Sequence, residues 1–282
     1  MTDDVTKMLL SRADALLTDK VAVVTGGGGG IGRGIAIGLA EFGADVVVLD
    51  VVEKAAEEVA ALVREKGCKA LAIAADVLDR DAVRRAIDLT MAKFGRLDIL
   101  VNNAGGTRPI KLVDMHDKQV DKQIALNLQS LVAATQAAAK AMIAGGRGGS
   151  IINIASIEAM RAAPFYAVYS ACKAGMVNFT RTSAVELGEH GIRVNGIAPD
   201  LVLTEAMVRA APQMASEAAK AGHGSYIPLG RAGNFDDCAG AAVFLASALS
   251  AFVTGITINV DGGTWASSGW TRDGKGGWRL FA

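Results

Sequence analysis

Tyr169 and Lys173 stand four residues apart, so on a helix they share one face. An unperturbed phenol titrates near ~10, too high for a base at neutral pH. An ammonium beside it favours the phenolate, and the pair could then take a proton from an alcohol or return it to a ketone. Ser156 lies 13 residues before the tyrosine, at the end of an apolar run, where its hydroxyl would hydrogen-bond the reacting oxygen. Tyr166 competes for the same role, but four residues after it stands Ser170, not a lysine. Cys172, between the pair, is expected to pack inward as a small hydrophobe.

A second group could hold a pyrophosphate. Thr25-Gly26-Gly27-Gly28-Gly29-Gly30-Ile31-Gly32 follows an apolar run and opens a helical pattern. At such a turn, backbone N–H groups and a helix start face the ligand, and glycine lets phosphate approach the chain. Asp50, at the end of the next apolar run, is placed to accept hydrogen bonds from adenosine ribose hydroxyls. A 2′-phosphate ~4 Å from that carboxylate would be repelled by ~4 kcal/mol per unit charge at an effective dielectric near ~20. Arg33 is the one nearby base that could compensate, so the sequence predicts NAD over NADP.

The elements that must position these groups alternate. Strands are predicted at Val21–Thr25, Asp45–Asp50, Ala70–Ala74, Ile99–Val101, Ser150–Ala155, Arg193–Ile197 and Ile256–Val260, with helices near 31–42, 53–66, 79–94, 114–144, 166–188 and 236–247. Strands such as Val46-Val47-Val48-Leu49 are apolar on both faces, as a parallel sheet covered on each side requires. The expectation is an α/β fold: a single Rossmann-type, doubly wound domain over 19–265 with a seven-stranded parallel sheet. Residues 1–18 place Met8, Leu9, Ala13, Leu16 and Leu17 at helical spacing and read as a short helix against the body. Residues 200–230 break the rhythm and form a candidate lid; 266–282 read as a tail.

Composition excludes several alternatives. Net charge is +0, from 29 basic and 29 acidic residues, with no basic stripe for nucleic acid. Three scattered cysteines and three dispersed histidines form neither a disulfide framework nor a zinc site, so a reducing cytoplasm and no metal are expected. The start lacks a basic region followed by an apolar core, which argues against a signal peptide. The uncharged stretch Cys238–Val260 is divided by Gly255 into a helical and an alternating part, so a buried helix and strand are expected in place of a membrane span.

Together these motifs resemble the short-chain dehydrogenase/reductase family over roughly 18–265. Thr25-Gly26-x-x-x-Gly30-Ile31-Gly32, Asn102-Asn103-Ala104-Gly105, Ser156, Tyr169-x-x-x-Lys173, Asn195-Gly196-Ile197-Ala198-Pro199 and Asp261-Gly262-Gly263 stand in the family's order. The resemblance implies a catalytic set of Asn127, Ser156, Tyr169 and Lys173. Asn127 would hold a water linking Lys173 to solvent, and Lys173 would also bind the nicotinamide ribose. It further implies cofactor contacts from Gly26, Gly30, Ile31, Gly32, Asp50, Asp76, Val77, Asn103, Ala104, Gly105, Pro199 and Thr204, and a homotetramer paired through helices 114–144 and 166–188. Asp200 departs from the pattern, where glycine is frequent; it could alter substrate choice or point outward. The expected activity is NAD(H)-dependent interconversion of a secondary alcohol and a ketone. Apolar residues in 157–166 and 201–208 favour a lipophilic substrate such as a steroid, terpenoid or acyl thioester, although Arg108, Glu158 and Arg161 could meet polar groups. An NADPH-dependent 3-oxoacyl reductase is the alternative, and a silent NAD-binding regulator is disfavoured because Tyr169 and Lys173 are both present.

Overall fold

Strand by strand, alternate side chains enter two separate interiors, because successive residues of a strand point to opposite faces. Ala22, Val24, Val46 and Val48 face one interior; Val23, Val47 and Leu49 face the other. The computed structural model describes residues 10–210 and 212–280. In chain order its elements are β1 (Val21–Thr25), α1 (Gly30–Glu41), β2 (Asp45–Asp50), α2 (Glu53–Glu65), β3 (Ala70–Ala74), α3 (Arg80–Phe94) and β4 (Ile99–Asn102). Next come α4 (Asp117–Ile124), α5 (Ser130–Gly145), β5 (Gly149–Ile154), α6 (Ala167–Leu187), β6 (Ile192–Pro199), α7 (Glu205–Ala210) and α8 (Glu217–Tyr226). The chain continues through α9 (Phe235–Ala246), β7 (Thr257–Val260), α10 (Thr264–Ser267), β8 (Trp270–Arg272) and β9 (Trp278–Leu280).

The main sheet has seven parallel strands in the order β3-β2-β1-β4-β5-β6-β7. Helices α1, α2 and α9 cover one face, and α3, α5 and α6 the other. Strand order reverses between β1 and β4, and a crevice opens there at the carboxyl ends of the strands. Gly34 lets α1 approach α9: a Cβ on it would run into Phe235.

Four expectations need correction. The predicted helix 114–144 begins at Asp117 and is interrupted by a π-turn over Ala125–Gln129, which carries Asn127. There the Asn127 amide donates to the Gln123 carbonyl (3.0 Å), competing with the helical ladder, and the turn widens. Strand β6 extends to Pro199, further than alternation indicated, because its carboxyl end pairs with β7. Where a short N-terminal helix was expected, the described residues from 10 onward hold a 3₁₀ turn, Arg12–Ala15, and of the apolar residues that suggested a helix Leu17 is buried whereas Ala13 and Leu16 are exposed; Met8 and Leu9 lie outside the described residues. The tail contains an antiparallel hairpin, β8–β9, in which Trp270 pairs with Leu280. Residues 200–230 hold α7, a 3₁₀ turn at Pro212–Ala215 and α8. Their base is tied by a bridge between Val202 and Gly233.

Candidate active site

The glycine-rich turn between β1 and α1 is shaped by the next strand. Gly28 N–H donates to Asp50 Oδ2 (3.0 Å) and Gly27 N–H to the Leu49 carbonyl (3.1 Å). Asp50 Oδ1 accepts from Val52 N–H (3.0 Å), so the carboxylate is held facing the turn. A Cβ on Gly28 would lie 2.9 Å from that carboxylate. Gly26 is left-handed (φ 61°), and a Cβ there would meet Ala104 Cα at 3.0 Å. From the other side, Asn103 Nδ2 donates to the carbonyls of Thr25 and Gly26 (both 3.0 Å), and Thr25 Oγ1 accepts from the N–H groups of Asn103 and Ala104.

The result is a groove of about 610 Å³ along the strand ends. Of the residues expected to bind a dinucleotide, Gly26, Gly30, Ile31, Asp50, Asp76, Val77, Asn103, Ala104, Gly105, Tyr169, Lys173, Pro199 and Thr204 line it, as does Ser156. Gly32 does not reach the wall; any side chain on it would run into Gly26 O and Asn103 Nδ2, so it serves the packing of the loop. Asn127 is fully buried behind the wall. It accepts from Gly106 N–H (2.9 Å) and donates to Gly106 O (3.0 Å), clamping the turn after β4. Gly105 sits between Asn127 and Lys173: a Cβ there would be 3.0 Å from Asn127 Oδ1 and 3.6 Å from Lys173 Nζ. Lys122, Glu205 and Arg209 also line the groove, although no motif singled them out. Only the folded position of α4 and α7 brings them there. Arg33, the candidate partner for a 2′-phosphate, is paired with Glu205 at 3.1 Å.

Helix α6 brings Tyr169 and Lys173 to the crevice. A buried polar chain registers it against the sheet: Asn102 bonds Thr135 and Asn153, and Asn153 bonds Thr180 on α6 (2.9–3.0 Å). Lys173 Nζ donates to the Ile154 carbonyl (2.6 Å), two residues before Ser156, and lies 5.5 Å from the Tyr169 ring centre. The Ser156 hydroxyl lies close enough to Tyr169 to favour its phenolate. Tyr166 stays at the helix start, its ring edge-on to Tyr169 with centres 6.5 Å apart.

The electrostatics differ from expectation. Burial pushes the Tyr169 phenol up to about 12; the nearby Ser156 hydroxyl opposes the rise, and the charges of Glu158 and Tyr166 add to it. Burial also brings Lys173 down to about 8. In the chain by itself, desolvation of the phenolate sets the direction, opposite to the lowering expected from the lysine. At neutral pH Tyr169 holds its proton.

Asp200 turns neither to solvent nor freely into the cleft. Its Oδ1 accepts from Arg161 Nη2 (3.0 Å) and its Oδ2 from Thr264 Oγ1 (2.6 Å). Arg161 also donates to Glu158 Oε1 (2.9 Å) and to the Tyr226 hydroxyl (2.8 Å). Burial works against the Arg161 charge, but the bond to Glu158 and the two carboxylate charges hold the guanidinium above its ordinary value.

The apolar side chains that suggested a lipophilic substrate divide between core and surface. Ile157 is fully buried, with Met160 packed nearby, in a small cluster under α6. From that segment Phe165 is exposed, and Glu158, Arg161 and Tyr166, with small residues, line a cavity. Among the described residues no cluster of three His, Cys, Asp or Glu could hold a metal, and no helix is long and apolar enough to cross a membrane.

Comparison with known proteins agrees with this geometry. Residues 26–264 match the family model described as enoyl-(acyl carrier protein) reductase. The chain is 41% identical over 251 residues to 2-dehydro-3-deoxy-D-gluconate 5-dehydrogenase of Escherichia coli K12, covering 88% of this chain and 96% of that one. Among solved structures, a 7α-hydroxysteroid dehydrogenase complexed with NADH and 7-oxo glycochenodeoxycholic acid superposes with a TM-score of 0.84 at 34% identity, covering 90% and 98% of the two chains. A gluconate 5-dehydrogenase from Burkholderia cenocepacia, in complex with NADP and tartrate, gives 0.83 at 38% identity, covering 91% and 99%.

Proposed function

The chain belongs to the short-chain dehydrogenase/reductase family, and on that premise we propose that it is an NAD(H)-dependent oxidoreductase that interconverts a secondary alcohol and a ketone. The observation that carries the reading is the meeting of Tyr169, Ser156 and Lys173 at one end of the groove whose other end is closed by Asp50.

The groove fits a nicotinamide dinucleotide: glycines stand where a Cβ would fill the cradle, and a fixed carboxylate stands where a ribose would bind. Gly26, Gly30 and Ile31 would face the pyrophosphate, Asp50 the adenosine ribose and Asp76 and Val77 the adenine. Asn103, Ala104, Gly105, Pro199 and Thr204 would line the nicotinamide half, with Lys173 on its ribose. Bound there, the dinucleotide supplies the hydride acceptor or donor for the carbinol carbon. NAD is favoured because Asp50 opposes a 2′-phosphate and Arg33 is already neutralised by Glu205. Both NADH and NADP occur in the family's solved structures.

Ser156 holds the substrate oxygen by a hydrogen bond, and Tyr169 exchanges the proton on it. In the reducing direction the protonated phenol donates to the ketone oxygen. In the oxidising direction the phenolate accepts the alcohol proton, and Lys173 in its ammonium form stabilises that phenolate. Asn127 acts at one remove, clamping the turn that carries Gly105 and so fixing the space around Lys173.

Assembly as a homotetramer through α4–α5 and α6 follows from the family resemblance, with Val185 on α6 strongly exposed in the single chain. Ala134 and Ala138, by contrast, are spent on the chain's own core. A cytoplasmic location completes the reading. The test of function is NADH formation from a panel of secondary alcohols by the wild type and by Tyr169→Phe. Turnover that survives the substitution overturns it.

A further inference from the structure

At the amino ends of the strands, away from Tyr169, lies a cleft of about 580 Å³, a size usual for small-molecule sites. The starts of β4, β5 and β6 meet there with the segment before β1 and the chain that joins α9 to β7. The groove that carries Asp50 and Tyr169 runs along the opposite, carboxyl ends, and no residue lines both.

Charge on the wall of this cleft is one-sided. Lys20, Arg147 and Arg193 line it, against one carboxylate, Asp98. Asp98 is already satisfied: Arg96 donates to both of its oxygens (2.7 Å each) and Val21 N–H to one of them (2.9 Å). Lys20 Nζ stands 4.0 Å from it, beyond hydrogen-bond reach. Arg147 donates to the Gly95 carbonyl, and Arg193 to the carbonyls of Leu245, Ser247 and Val253. Among the described residues, none of the three cations donates to a carboxylate. Burial works against the Arg193 charge, and an anion brought beside it would supply a counter-charge that carbonyl dipoles only partly replace.

The rest of the wall is largely apolar. Phe252 is fully exposed and Leu16 half-exposed, beside Ala248, Ala251 and Val253. A bare inorganic anion would meet the cations but leave these side chains in water. A ligand with a charged head and an apolar body would satisfy both.

We propose that this cleft binds an amphipathic carboxylate, its head among Lys20, Arg147 and Arg193 and its apolar body against Leu16 and Phe252. A neutral alcohol of the same chain length lacks the charge, and an amphipathic cation is repelled. Binding there depends neither on Tyr169 nor on a dinucleotide.

Titration calorimetry of the intact chain with octanoate, 1-octanol and octyltrimethylammonium tests this. Octanoate is expected to bind about tenfold or more tightly than octanol, with no measurable binding of the cation, and its affinity should fall as salt is raised. Arg147 and Phe252 are exposed, so their replacement leaves the fold intact. Arg147→Ala and Phe252→Ala should each weaken octanoate about fivefold. Tyr169→Phe should bind it as the wild type does. Octanoate that binds no tighter than octanol, or not at all, would overturn the site, as would equal affinity in Arg147→Ala and the wild type. Loss of binding in Tyr169→Phe would place the ligand at the carboxyl ends of the strands and overturn it too. Inorganic phosphate binding as tightly as octanoate would overturn the amphipathic class.

Discussion

Along the groove proposed to hold the dinucleotide, contacts run mainly between side chain and backbone, within segments joined by adjacent strands. Asp50 takes the N–H groups of Gly28 and Val52, and Asn103 holds the carbonyls of Thr25 and Gly26. Across the cleft, side chain binds side chain over long sequence distances. Glu158 and Arg161 follow β5, Asp200 follows β6, Tyr226 ends α8 and Thr264 opens α10. A wall held by its backbone keeps its shape when exposed side chains change. In a wall held by side chains, replacing one member strands the charges of the others. The second wall is therefore the more sensitive of the two to substitution, and Tyr169 stands at the seam.

The seam should break first. Tyr169→Phe removes the hydroxyl proposed to exchange the proton, and activity should fall by at least ~10²-fold while NADH affinity, read by fluorescence titration, is little changed. Tyr166→Phe should lose far less, because its ring lies beside the reacting group without a lysine on its face. The opposite ranking would place the chemistry on the wrong tyrosine.

The backbone-held wall is tested by Asp50→Ala. Its fold should persist, and kcat/KM with NADP relative to NAD should rise by about tenfold or more as the repulsion disappears. An unchanged ratio would mean that Asp50 does not meet the adenosine ribose.

On the side-chain wall, Arg161→Ala leaves Glu158 and Asp200 facing each other uncompensated. The site is partly hydrated, so the expected loss is about 1–2 kcal/mol, seen as a fall of roughly 3–6 °C in Tm by calorimetry. Thermal stability equal to that of the wild type would show that the network contributes only local order.

The smallest effect concerns proton affinity. Glu158 helps to hold the Tyr169 phenol up near 12, so Glu158→Gln should lower that pKa. On the proposed mechanism alcohol oxidation requires the phenolate and gains rate as pH rises; in the variant this rise should begin at lower pH, by about half a unit. A shift to higher pH would contradict the sign of the interaction.

Much of this was readable in the chain itself. Val46-Val47-Val48-Leu49 could only be a strand covered on both faces, and five glycines before Ile31, with Asp50 at the next strand end, marked a tight turn that the carboxylate faces. The four-residue spacing of Tyr169 and Lys173 survives folding because a helix fixes it. Local periodicity and short motifs determine these features, since their partners lie within one turn or one βα unit. The π-turn at Asn127 was not legible, because it depends on Gly106, 21 residues away, claiming the same amide that bonds Gln123. Nor was the inward turn of Asp200, whose partners Arg161 and Thr264 lie 39 and 64 residues distant. The raised pKa of Tyr169 was equally out of reach: spacing reveals the lysine, but only the packed structure sets how much water the phenolate must give up. The tertiary fold alone decided the substrate side of the cleft, because desolvation and long-range side-chain pairing have no period along a sequence.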